Sequence, residues 1–152
     1  MRHKRAVPIF LCFVLIAAAP IVGACWVHYE LQRRLEMKIE GKFIPMPFAP
    51  VFYLKDSHFE WNGKVRFESG DLKIQYNPFF LLAGGGIHVR LEGKNLQVRL
   101  LGDWAKMQGV EQAAIENLEA DFSLGKKGLS EVYFVDVRSR AFQFKLKKSD
   151  NK

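Results

Sequence analysis

FEWNGKVRFESGDLKIQY, residues 59–76, decides the fold. Phe59 and Trp61 alternate with His58 and Glu60 up to Asn62-Gly63, a strong two-residue hairpin signal, because a type I′ turn needs positive φ at both central residues. Beyond the turn, Val65 and Phe67 alternate with Lys64, Arg66 and Glu68. Leu72, Ile74 and Tyr76 then alternate with Lys73 and Gln75. A period of two sends successive side chains to opposite faces, so the sheet has one apolar and one polar face. Ser69-Gly70-Asp71 reads as a turn between the two runs, and Asn77-Pro78 ends the second.

The same period continues toward the C-terminus. Phe79 to Gly86 is apolar and closes in three glycines. Ile87, Val89 and Leu91 alternate with His88, Arg90 and Glu92. Gly93-Lys94 reads as a turn, after which Leu96, Val98 and Leu100 alternate with Asn95, Gln97 and Arg99. Gly102 to Gln112 reads as irregular or a short helix. Leu118, Ala120, Phe122 and Leu124 form the next strand, and Gly125-Lys126-Lys127-Gly128 a turn. Val132–Val137 and Ala141–Leu146 complete the domain, and 147–152 is a polar tail. Residues 64–76 align without gaps to 88–100, with Val65/Val89, Arg66/Arg90, Glu68/Glu92 and Leu72/Leu96 identical, which suggests a repeated β-hairpin. The expected class is mainly β, a curved antiparallel meander of taco or jelly-roll form over 51–146, with no βαβ unit.

On the N-terminal side, residues 6–27 carry no charged side chain. As a helix they rise roughly 33 Å, which matches a bilayer core. Pro20 should kink this span, and Trp26 and Tyr29 stand where interfacial aromatics belong. Residues 1–5 contain Arg2, Lys4 and Arg5, which supply three of the seven net positive charges and place the N-terminus in the cytoplasm. The rest of the chain is then expected outside, as a single-pass inner-membrane protein facing the periplasm. A cleaved signal peptide is a competing reading, and Val22-Gly23-Ala24-Cys25 also matches a lipobox, with Cys25 as the lipidated residue. Residues 28–50 are expected as a helical stem, His28 to Gly41, followed by an extended proline-rich linker or edge segment, because Pro45, Pro47 and Pro50 cannot sit in a central strand.

Cys12 and Cys25 are the only cysteines, both in the apolar run, so no disulfide staples the domain. The charge left after the N-terminal cluster is too small and dispersed for a nucleic-acid footprint. His3, His28, His58 and His88 lack zinc-ligand spacing. Asp56-Ser57-His58 has triad residue types, but adjacent strand residues point to opposite faces. Gly84-Gly85-Gly86 lacks the lysine and helix of a phosphate loop. Glu116, Glu119 and Asp121 could form an acidic patch, but two of them simply occupy polar positions of a strand, with no sign of the burial that shifts a carboxyl pKa. No catalytic residue, metal or cofactor is expected, and the chain reads as a non-enzyme.

The aromatic set Phe59, Trp61, Phe67, Tyr76, Phe122, Phe134, Phe142 and Phe144 fits either a packed core or an open apolar groove. For a groove, the lining candidates are Val65, Phe67, Leu72, Ile74, Val89, Leu91, Leu96, Val98 and Phe122.

A basic N-terminus, one apolar helix and hairpins in the style of residues 59–74 and 89–98 together resemble the start of AsmA-like envelope proteins. That resemblance implies an elongated taco-shaped sheet whose groove accommodates phospholipid or lipopolysaccharide in lipid traffic or envelope assembly. Members of that family are generally much longer. A similar anchor-plus-β architecture occurs in the LptC-type subunit of lipopolysaccharide transport and in the N subunit of type II secretion. These suggest a different class, an adaptor or structural subunit that pairs with an envelope protein through an exposed strand edge.

Overall fold

The computed structural model describes residues 6–61, 63–79, 86–103 and 112–148, with side chains from residue 11 onward. The stretch expected as irregular or helical between Gly102 and Gln112 lies mostly outside them, as does most of the apolar run from Phe79 to Gly86.

Helix α1 runs without a break from Ala6 to Leu35 and contains Pro20. Leu11–Leu35 is long and apolar enough to cross a membrane. Arg33 and Arg34 in its last turn complement the carbonyl end of the helix dipole. Glu36 adopts a left-handed φ of 52° and ends the helix. The expected stem helix to Gly41 is therefore corrected. Met37–Pro45 is strand β1, in which Met37 and Ile39 stand opposite Trp61 and Phe59. Met37 and Ile39, which looked like part of a helical stripe, follow the period of two set by their strand partners. Pro45 lies on an edge strand, where a missing N–H is tolerated.

Six further strands follow: β2 (Val51–Trp61), β3 (Val65–Tyr76), β4 (Ile87–Leu100), β5 (Gln112–Gly125), β6 (Gly128–Arg138) and β7 (Gln143–Lys147). Every neighbouring pair is antiparallel and sequential, giving one curved, unclosed seven-stranded sheet in the order β1 to β7. The meander expected from the alternation is what the chain adopts.

Ser69-Gly70-Asp71 and Gly93-Lys94 do not turn the chain, a correction that also changes the repeated hairpin. Each lies inside one long strand, so residues 64–76 and 88–100 belong to neighbouring strands, not to two hairpins. The alternation shifts phase at these points. Leu54, Leu72, Gly93 and Leu118 form one transverse row of register partners, and Ser57, Ser69, Leu96 and Ile115 form the next. Between them stand two consecutive exposed residues in each strand: Lys55-Asp56, Gly70-Asp71, Lys94-Asn95 and Glu116-Asn117. Asp56 and Asn95 take positive φ, which their short polar side chains tolerate better than most. The crease crosses β2 to β5, and β1 meets it with a bulge at Gly41. It divides the apolar face into two panels.

The C-terminal half of α1 packs on the first panel. Ala24, Val27 and Leu31, at helical spacing, are buried in a core with Phe52, Leu54, Phe59, Leu72, Ile74, Tyr76, Ile87, Val89 and Leu124. Gly23 lets the helix approach closely: a Cβ there would come within 2.6 Å of the Tyr76 hydroxyl. That hydroxyl donates to the Pro20 carbonyl at 2.6 Å. The His28 ring lies 4.9 Å from Phe43 and 6.0 Å from Phe52. At the other end Arg34 donates to the carbonyls of Leu124 and Gly125 at 3.2 and 2.9 Å, while Glu30 accepts from both Arg33 and Arg34. This buried carboxylate is thus matched by charge-assisted hydrogen bonds.

Candidate functional site

The polar face is tiled with cross-strand pairs of opposite charge. Lys73 meets Glu92 at 3.1 Å, Arg99 meets Glu68 at 3.8 Å, and Arg90 meets Glu119. The three acidic residues noted in the sequence each have a basic partner: Glu116 with Arg140 at 3.4 Å, Glu119 with Arg90, and Asp121 with His88. His58 pairs with Glu40 at 2.7 Å on the exposed surface. Ser57, between Asp56 and His58, turns to the buried side. A hydrogen bond from Lys38, then one from His58, holds the Glu40 carboxyl below its ordinary pKa. Arg138, 2.9 Å away, does the same for Asp136. The exposed pairs stabilise weakly but keep the face hydrophilic, whereas Asp136 is itself buried beside Arg138.

The apolar face is where the groove candidates converge. Leu72, Ile74 and Val89 are fully buried beneath α1 and belong to the core. Leu91 and Phe122 are partly buried against that core, and so, from beyond the crease, is Phe67. The helix therefore fills the panel that the first five of these would have lined as an open groove. Beyond the crease, Leu96 is buried, while Val65, Phe67 and Val98 are half-buried and stand in register across β3 and β4, Phe67 directly opposite Val98. Trp61, opposite Val65 across β2 and β3, is 49% exposed.

Leu100 and Ile115 extend this far panel, with Leu100 opposite Val65 and Ile115 opposite Leu96. Neither was among the groove candidates, although Leu100 continues the inward phase of Leu96 and Val98. Ile115 precedes a phase shift in β5, which hid it. A cleft of about 730 Å³ opens at this end, with Leu96, Ala113, Ile115 and Phe142 among its walls. Its rim carries the Gln112–Gln97 hydrogen bond and the Arg140–Glu116 pair. The volume falls within the range of small-ligand sites. Ser57 and Ser69, register partners at the border of the panel, bury hydroxyls that have no protein partner. Buried polar groups are nearly always hydrogen-bonded, so two adjacent exceptions mark this border as unusual.

The apolar face also runs sideways to β7. Val137 opposes Phe144 and Val135 opposes Leu146, and both β7 residues are exposed. All five residues of β7 are exposed. Cys25 lies on the exposed side of α1, beside the buried Ala24. Among the described residues, no three His, Cys, Asp or Glu side chains group as metal ligands.

No family model matches the chain, and neither a curated protein nor a solved structure matches it.

Proposed function

We propose that this chain is a non-enzymatic, AsmA-like protein of the cell envelope, held in the inner membrane by α1 with its sheet in the periplasm, and that it binds the acyl chains of phospholipid or lipopolysaccharide on the far panel. The observation that carries this reading is the division of one apolar face into two. The helix covers the panel of Leu72, Ile74 and Val89, and its core reaches Phe59 and Phe67 past the crease, whereas Trp61, Val65 and Val98 continue the same face outside that core. An apolar surface beside a membrane helix is suited to hydrocarbon, because leaving it in water costs roughly 25 cal/mol per Å².

Photo-crosslinking residues placed at Phe67 and Val98 in the full chain in native membranes should yield lipid adducts, while Ile74 and Val89 should yield none. Lipid-free crosslinks at Phe67 and Val98 in correctly folded protein would sink the reading.

The fully exposed β7 favours a second function, an adaptor whose partner adds a strand to that edge. Proline introduced into β7 would then abolish a stable envelope complex without changing lipid adducts at Phe67.

A further inference from the structure

Resting on the reading of α1 as a membrane anchor, we infer that the β1–β2 loop and the adjoining end of β3 enter the bilayer beside the helix, as a second membrane contact made by the sheet itself.

The first argument is length. From Ala6 to the Pro20 carbonyl, where Tyr76 takes hold, α1 rises only about 21 Å, against the roughly 30 Å of a hydrocarbon core. Residues 20–27 must therefore serve the span and the sheet together. Gly23 and Ala24 already pack against the sheet at that level. The strand ends that hold them share their depth.

The second argument is what those ends present. Phe48, at the tip of the β1–β2 loop, is 55% exposed, and its ring sits 5.4 Å from Phe13, far down the apolar run. Met46 beside it is exposed as well, and Phe79 after β3 is 74% exposed. The two ends are joined: the Tyr76 amide donates to the Pro50 carbonyl at 3.0 Å. In water these aromatics would be a liability, and Phe48, through Phe13, continues the apolar surface of Leu11, Phe13, Val14, Leu15 and Ile16, all exposed on the helix.

The third argument is the backbone. A loop in hydrocarbon must satisfy its own polar groups. Here Pro45, Pro47 and Pro50 have no N–H to satisfy, and the Met46 amide donates to the Val51 carbonyl at 3.0 Å. Phe48 holds a φ of 65°, rare for a bulky residue, which a purely connecting loop would not need. The strained tip fits a contact that fixes where this ring points.

The test uses full-length protein in phosphatidylcholine–phosphatidylglycerol nanodiscs. Cys12 and Cys25 are replaced by serine, and single cysteines at Val14, Phe48, Phe79 and Lys94 carry an environment-sensitive fluorophore. Phe48 and Phe79 should be quenched by acyl-chain spin-labelled lipid about as strongly as Val14, and Lys94, exposed at the crease of the polar face, should not. If Phe48 and Phe79 behave like Lys94 while Val14 is quenched, the anchor stands and the loop contact is overturned. If Val14 is also unquenched, the anchor reading fails and takes this inference with it. Photolysis of diazirine lipid around the unsubstituted protein provides a check free of variants. Adducts are expected on residues 46–50 as well as on α1, and adducts confined to α1 overturn the proposal.

Discussion

At the scale of single residues, the crease depends on Asp56 and Asn95, whose positive φ lets β2 and β4 shift phase without leaving the sheet. Asn95 is exposed, so its substitution tests backbone preference with little change in packing. Asn95→Gly should leave stability within about 0.5 kcal/mol, whereas Asn95→Val should cost about 1–2 kcal/mol, because a β-branched residue resists the left-handed region. Chemical denaturation in a mild detergent measures both. Asp136 gives a pH dependence of defined sign. The Arg138 hydrogen bond lowers its folded pKa, so the stabilisation is present above the unfolded value of about 3.9 and is lost as pH falls through that value toward the folded one. Melting temperature should therefore fall below about pH 4, and Asp136→Asn should flatten that limb while leaving the neutral range without this contribution. An acid limb unchanged in Asp136→Asn would remove Asp136 as its source.

At the scale of elements, the strands were legible because their alternation is strict on either side of the phase shift, and the inward set Phe59, Val65, Phe67, Leu72, Ile74, Val89, Leu96 and Val98 lies on one face as read. The connections were less legible. Gly, Asp and Asn at a phase change serve a turn or a bulge equally well, and only pairing with the next strand decides between them. Hence two apparent hairpins became β3 and β4. The candidate site was legible as a face but not in its covered half, since nothing in the sequence told that Ala24, Val27 and Leu31 would lie over Leu72, Ile74 and Val89. That stripe is hard to see in a helix apolar on every side, where a membrane span and a core contact share one composition. The two panels should answer differently to truncation. Ile74→Ala, fully buried under α1, should cost about 2–4 kcal/mol through lost transfer energy and a cavity. Val98→Ala, half-buried on the far panel, should cost less than about 1 kcal/mol and instead weaken lipid crosslinking from Phe67. Equal losses of stability would mean that the far panel is as well packed as the core.

At the scale of the whole molecule, the sheet has two edges that are not alike. β1 is continuous with the helix, carries Lys38 and Lys42, bulges at Gly41 and ends in Pro45, a set of features that discourages pairing. β7 has no proline or bulge, and it places exposed Phe144 and Leu146 on the apolar side with Lys145 and Lys147 on the other. A strand added to this sheet is therefore expected at β7. Phe144 and Leu146 are already solvent-exposed, so Phe144→Lys with Leu146→Lys should shift unfolding by no more than about 0.5 kcal/mol. The same pair would place two charges where an added strand must bury apolar side chains, so association through that edge should disappear. Analytical ultracentrifugation of the full chain in detergent, with crosslinking in envelope membranes, reads the association, and lipid adducts at Phe67 are scored in the same samples. If association is lost while lipid adducts persist, the edge and the panel are separate devices. If both are lost together, acyl chains and partner share the surface that runs from Val98 across to Phe144, and the two functions proposed for this chain merge into one.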